Sequence, residues 1–237
     1  MSMATRKLIR SFSAGEKDPY WANVVFLSHF DGADASTTII DQRGHTISVA
    51  GSIALSTAQK KFGTASLKGD SGYTSTARSA DFSGFGATDA WTVEGFFYIP
   101  SGTASGGKGL LLITADGGGL IGGCHIELFS GTWYFYVYRQ LETNGYIGSI
   151  PTVYDSFQYF KITNTGSGDP VLYVNESPIS ISTFGYGSRA TPTGGIYTNV
   201  MPGEVNPFLG YIDEVRLTKG VARTSSYATP TAPFPNS

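Results

Sequence analysis

The chain has 237 residues, of which 41% are hydrophobic, 14% aromatic and only 14% charged, with 31 Gly, 11 Pro, a single Cys and a net charge of −2. Average globular usage is about a quarter charged and about 7% Gly, so this chain is poor in charge and rich in turn-formers. Its rings exclude a disordered chain, the near-neutral balance argues against a nucleic-acid surface, and one cysteine excludes an intrachain disulfide or a thiolate metal cluster.

Residues 1–20 stand apart from the rest of the chain. Arg6, Lys7 and Arg10 give the stretch before residue 16 a charge of +3, which leaves −5 for the remainder. Without hydrophobic periodicity this segment reads as an extended arm, either frayed or anchoring the chain to a larger assembly. No apolar stretch of signal-peptide length comes after the basic residues, so folding without Sec export is expected. The longest apolar runs, at residues 23–27 and 109–113, fall well short of the roughly 20 residues of a spanning helix, and no membrane insertion is expected.

From Trp21 onward, short β-like runs alternate with Gly, Ser, Asn and Asp clusters. Strands are predicted at Val24–Phe30, Thr46–Ala50, Ala65–Leu67, Thr92–Ile99, Gly109–Thr114, Cys124–Phe129, Tyr134–Arg139, Phe157–Thr163, Val171–Val174 and Phe208–Leu217. Turn chemistry marks most boundaries, as at residues 116–119, Asn144-Gly145 and residues 166–170. No segment of helical length shows a 3.6-residue period, and the proline-rich tail at 228–237 should be extended. The expected fold is all-β: two antiparallel sheets in a jelly-roll sandwich over residues 21–237, as one domain behind the arm.

Two of these strands carry most of the rings. In the strand at 91–99, Trp91, Val93, Phe97 and Ile99 share one face, expected to be core. Thr92, Glu94, Phe96 and Tyr98 share the other, amphipathic face, which is expected to offer a binding surface. In the strand at 132–139, Trp133, Phe135 and Val137 lie on one side and Tyr134, Tyr136 and Tyr138 on the other. Both sides cannot be ordinary solvent faces. The tyrosines pack within the chain, meet another subunit or hold a sugar, uses to which their amphipathic rings suit them equally. Tyr134, Tyr136, Tyr138 and Trp133 are therefore the candidate ligand or interface residues.

Several patterns, in order, resemble the concanavalin A-like lectin/glucanase superfamily in its laminin-G-like branch. They are the opening strand ending in Phe30-Asp31-Gly32, the turn Asp41-Gln-Arg-Gly-His45, the stretch Lys61-Phe-Gly-Thr-Ala-Ser-Leu67 and the strand Trp91–Phe97. Phe160–Thr163 with Leu172-Tyr-Val-Asn175 after it, and the closing strand Phe208–Arg223, complete the set. The leading Asp18–Gly32 and trailing Thr229–Pro235 variants resemble domains of tailed-bacteriophage virion proteins. The resemblance implies a virion protein of tail, fibre or capsid surface, assembled in the host cytoplasm. It would join other virion proteins through the arm, form a homo-oligomer and bind host-surface or environmental glycan. A purely structural cement subunit without ligand is the alternative, and a polysaccharide-degrading glycosidase a third reading.

Catalysis is disfavoured. Glycoside hydrolysis needs two carboxylates across one scissile bond, and the laminarinase-type relatives place theirs as Glu-x-Asp-x-x-Glu on one strand; no such run occurs here. His125-Ile-Glu127 offers one carboxylate, and Asp213-Glu214 are adjacent, which on a regular strand sends them to opposite faces. Glu214 and Arg216 should then form a solvent-side pair, with Asp213 on the apolar side beside Val215 and Leu217. A structural calcium is better supported, since the family often holds one where opening and closing strands meet. By resemblance its candidate ligands are Asp31 and Asp213, with Asp34 and Asp41 as further donors. Capping of Asp213 by backbone N–H groups or an arginine, without metal, is the other reading.

Overall fold

Alternation along two strands dictates where the layers meet. Trp91, Val93 and Phe97 fall on one side of their strand, and Trp133, Phe135 and Val137 on one side of theirs. In the computed structural model both rows belong to one buried core, where the Phe97 and Trp133 rings lie 4.3 Å apart. The described residues are 17–69, 71–77, 79–85, 89–103, 108–113, 123–129, 131–138, 144–167, 169–185, 196–198, 209–224 and 228–237.

The strands are β1 (Val24–Ser28), β2 (Ile47–Gly51), β3 (Ala54–Ser56), β4 (Ser66–Lys68), β5 (Gly72–Thr76), β6 (Ala90–Tyr98), β7 (Lys108–Ile113) and β8 (Gly123–Phe129). They continue as β9 (Thr132–Tyr138), β10 (Asn144–Pro151), β11 (Gln158–Thr165), β12 (Val171–Val174), β13 (Ser177–Ile179), β14 (Ile181–Gly185), β15 (Ile196–Thr198) and β16 (Tyr211–Lys219). Every pairing is antiparallel. One eight-stranded sheet runs β13-β12-β11-β6-β16-β4-β3, with β1 also on β16; the other runs β14-β10-β9-β8-β7-β15-β5-β2. This is the two-sheet sandwich the strand pattern predicts. Each predicted strand has a counterpart, whereas Asn144-Gly145, read as a turn, opens β10. The only helical turns among the described residues are Trp21–Asn23 and Ala80–Phe82.

The outer face of the first sheet is not the open surface expected from β6. Thr92, Glu94 and Phe96 are buried because both ends of the described chain fold over them. Phe96, Tyr159, Val24, Leu27 and Phe234 form a second apolar cluster, against which Trp21, Phe62 and Phe157 pack. The proline-rich tail lies on the sheet: Phe234 donates its N–H to Glu214 at 2.9 Å, and its ring sits 3.9 Å from the Arg216 guanidinium. At the other end the Asp18 N–H meets the Ser237 carbonyl at 2.9 Å.

Charged groups lie beneath this cover. Arg216 donates to Glu94 at 2.8 and 3.1 Å and to Asp18 at 3.0 Å. Arg223 clamps both oxygens of Asp18 at 2.9 and 2.7 Å. The Tyr159 hydroxyl donates a hydrogen bond to Glu94 at 2.5 Å. Burial alone would raise the Glu94 pKa, but the charges of Arg216, Lys161 and Arg223 and the Tyr159 hydrogen bond outweigh it and bring it to about 2. Arg216 thus does not form a solvent-side pair with Glu214; both residues are buried and face different partners. Asp18, which the sequence places in the arm, is built into the folded body.

A bulge explains the second departure in β16. The register with β6 slips between Asp213 and Arg216, and Glu214 adopts φ +54°, a left-handed conformation that costs a non-glycine residue free energy. One extra residue resets the alternation. Ile212, Val215 and Leu217 enter the core, while Asp213 and Glu214 both turn toward the outer side and bind its segments. The slip falls where β4, on Tyr211 and Ile212, gives way to β1, on residues from Val215 to Thr218.

Candidate functional site

Two places invite a functional reading: the junction beside the β16 bulge and the outer face of the second sheet. At the junction, Asp213 Oδ2 accepts the N–H groups of Lys61 and Phe62 at 2.7 and 3.2 Å. Asp31 Oδ1 accepts the N–H and hydroxyl of Thr64, the latter at 3.0 Å. The two carboxylates therefore grip opposite ends of one short loop. Gly63 lets Asp31 approach, since a Cβ there would stand 2.0 Å from its Oδ1. Burial, and after it the charges of Glu214 and Asp31, pushes the Asp213 pKa up to about 8 despite the two N–H donors. Its Oδ1 is buried and has no hydrogen-bond partner, which leaves a costly desolvated oxygen.

The other two candidate calcium ligands are occupied elsewhere. Asp41 accepts the N–H groups of Leu27, Arg43 and His45 and meets His45 Nδ1 at 2.6 Å, so both its oxygens serve the 41–45 turn. His45 Nε2 reaches Asp81 at 3.0 Å. Asp34 accepts the N–H of Thr57 at 2.9 Å. Only Asp31 and Asp213 are brought together, and among the described residues no group of three or more His, Cys, Asp or Glu gathers as a metal site would. Glu214 is committed to His29 Nδ1 at 2.8 Å and to the Phe234 N–H.

On the second sheet, β9 divides as its alternation predicts. Phe135 and Val137 enter the core with Trp133, which is 0% exposed. Trp133 therefore packs the sandwich and does not meet a ligand at the surface. Tyr134 and Tyr136 occupy the opposite face, half-buried, with ring centroids 6.3 Å apart and planes 26° from parallel. The backbone register sets Glu127 and Ser149 on either side of Tyr134, and His125 and Ile147 on either side of Tyr136. Tyr138 continues the row, but its side chain, like those of His125 and Glu127, lies outside the described residues, as do Arg6, Lys7 and Arg10.

One exposed feature has no counterpart among the residues singled out from sequence. Val153 and Tyr154 are exposed on the crossover from β10 to β11. Asp155 braces that crossover from a left-handed backbone (φ +58°): its N–H bonds the Ile99 carbonyl at 2.8 Å and its Oδ1 accepts the Ser101 N–H at 2.9 Å. A non-glycine φ of this sign has no marker in composition or alternation.

No protein family and no curated protein sequence matches the chain. Its fold is found among solved structures. The binding domain of botulinum neurotoxin serotype D superposes with a TM-score of 0.63 at 10% identity, covering 88% of this chain and 51% of that one. The binding domain of Paraclostridial Mosquitocidal Protein 1 gives 0.59 at 14% identity, covering 87% and 51%. That of botulinum neurotoxin DC, in complex with SialylT, gives 0.61 at 12% identity, covering 87% and 50%. The chain spans about half the length of these structures. At such identities the likeness establishes the β-rich sandwich and nothing finer.

Proposed function

We propose that this chain is a non-enzymatic, concanavalin A-like binding domain of a bacteriophage virion, and that it attaches through the outer face of its second sheet to glycan. The carrying observation is the Tyr134–Tyr136 pair, stacked and half-buried on one sheet, while the equivalent face of the other sheet is closed by residues 17–24 and the proline-rich tail. Tyrosine offers a flat apolar face with a polar tip, which suits a sugar ring. Neighbours that are binding domains, one of them solved with SialylT, support the same reading. Residues 1–16, with Arg6, Lys7 and Arg10, would join the domain to other virion proteins.

A glycan array probed with the full chain and with Tyr136→Ala tests the surface. Binding lost in the variant is the expected result; a full chain that captures no glycan, or a variant that binds as well, defeats it. The orphaned Asp213 Oδ1 supports calcium as a structural ion. Asp213 and Asp31 would hold it, and backbone carbonyls would supply the rest of the six to eight oxygens that Ca²⁺ takes. Bound calcium would neutralise the carboxylate pair and fasten the 61–64 loop to β16.

A further inference from the structure

A sandwich of two open sheets has four edges, each a row of backbone groups that can pair with another chain. Two are defended here. β13 carries Pro178, which has no N–H to give. The opposite edge is split between β3 and β1, which also pairs with β16. Residues 35 and 36 exchange hydrogen bonds with Leu55 at 2.9 and 2.8 Å, and on β1 Leu27 accepts the Gln42 N–H at 2.7 Å and donates its own to Asp41 at 2.9 Å. The third, β14, runs on into residues outside those described.

The fourth is different. β2 reads Ile47-Ser-Val-Ala-Gly51, with no charge and no proline, and pairs with β5 in unbroken register over all five residues. Among the described residues no strand lies on its other side. The core runs out to this edge without being sealed: Ile47 and Val49 pack against it yet remain only partly buried. Just before the strand, Ile40 bridges Thr46 and is 58% exposed, the highest value for a large hydrophobic residue among those described.

We propose that two copies of this chain pair along β2, antiparallel about a two-fold axis, so that the second sheet continues from one subunit into the other. The strand is self-complementary. With the axis at Val49, Val49 faces its own copy, Ile47 faces Gly51 and Ser48 faces Ala50, so no like charges meet. A strand made for a charged or proline-marked partner would carry some matching feature, and β2 carries none. The axis stands normal to the sheet and keeps both tyrosine faces on one side, where two weak sites would act together. That last consequence rests on the glycan reading; the pairing itself does not.

Sedimentation velocity of the full chain tests the pairing. A dimer that dissociates on dilution is expected. The double variant Ser48→Lys/Ala50→Lys sets lysines against lysines across the axis and should sediment as a folded monomer, with the circular dichroism of the parent and the melting profile the parent shows once diluted to monomer. Mixing it with Ser48→Glu/Ala50→Glu should restore a one-to-one dimer, a result no general destabilisation would give. A parent chain that stays monomeric, forms another stoichiometry, or remains dimeric with the lysines in place would overturn the proposal. So would a monomer that accepts only a strand from a different protein.

Discussion

The two sheets of this sandwich treat their outer faces in opposite ways. The first hides Glu94, Arg216 and Phe96 beneath residues 17–23 and the proline-rich tail, and ties them together with ion pairs. The second leaves Tyr134 and Tyr136 only half-buried above a core that Trp133 and Phe135 already fill. Aromatic residues on the second face of a strand therefore have two meanings in one molecule. Where a charge is interleaved with them, as Glu94 is between Thr92 and Phe96, the face needs a cover that brings counter-charges. Where only hydroxyl-bearing rings alternate, the face can meet water.

If this contrast holds, perturbing the first face should cost stability and perturbing the second should cost binding. Arg216→Ala is expected to have the largest effect, about 3–5 kcal/mol in urea unfolding, because it strands Glu94 and part of Asp18 without their partner. A loss below about 1 kcal/mol would mean that water enters the network. Phe234→Ala should come next at about 3 kcal/mol, with dye binding that reports newly exposed surface on the first sheet. Unchanged dye binding would show that the tail is not what closes that face.

Acid should act next. The Glu94 pKa is depressed in the folded state, so its contribution is complete above the ordinary value near 4.5 and is lost as pH falls toward about 2. The amount is on the order of 3 kcal/mol. Removing Arg216 should move that loss to higher pH, and an acid limb that ignored the substitution would count against the pairing. A chelator should lower the melting temperature of the parent by a few degrees and leave Asp213→Asn unmoved; equal responses would speak against calcium at Asp213. Tyr136→Ala should change stability least, by under about 1 kcal/mol. A larger loss would mean that the tyrosine row is covered in the same way as the first sheet.

Much of the sandwich was legible in the sequence, for a specific reason. Strands such as β6 and β9 alternate large apolar residues strongly enough to declare both their position and their inner face, and β16 declares its position. β3, β5 and β13–β15 are short or rich in Gly, Ser and Thr, as in Gly72-Tyr-Thr-Ser-Thr76, and leave little pattern to read. The site was less legible. Period two tells which residues share a face, not what lies above it, so the cover formed by Asp18 and Phe234 was invisible until their partners on β6 and β16 were located. The bulge at Glu214 inverted the reading of Asp213 because an extra residue shifts every later face while leaving composition untouched. Asp41 carried a clear turn motif, and that turn occupies the oxygens that the resemblance offered to a metal.

The hydrogen bond between Asp18 and Ser237 gives the described body a nearly closed outline. A body in which residues 18 and 237 touch can be re-cut: a short linker from 237 to 18 would make it a ring. A new opening at the Asn175–Glu176 turn, where both residues already sit at positive φ, would return it to a linear chain. The order in which the strands are made would change and the order in which they lie would not. Such a permuted chain would begin and end at the β12–β13 turn, where Glu176 now accepts the Thr229 N–H of the tail, leaving the tyrosine face and the β2 edge as they are.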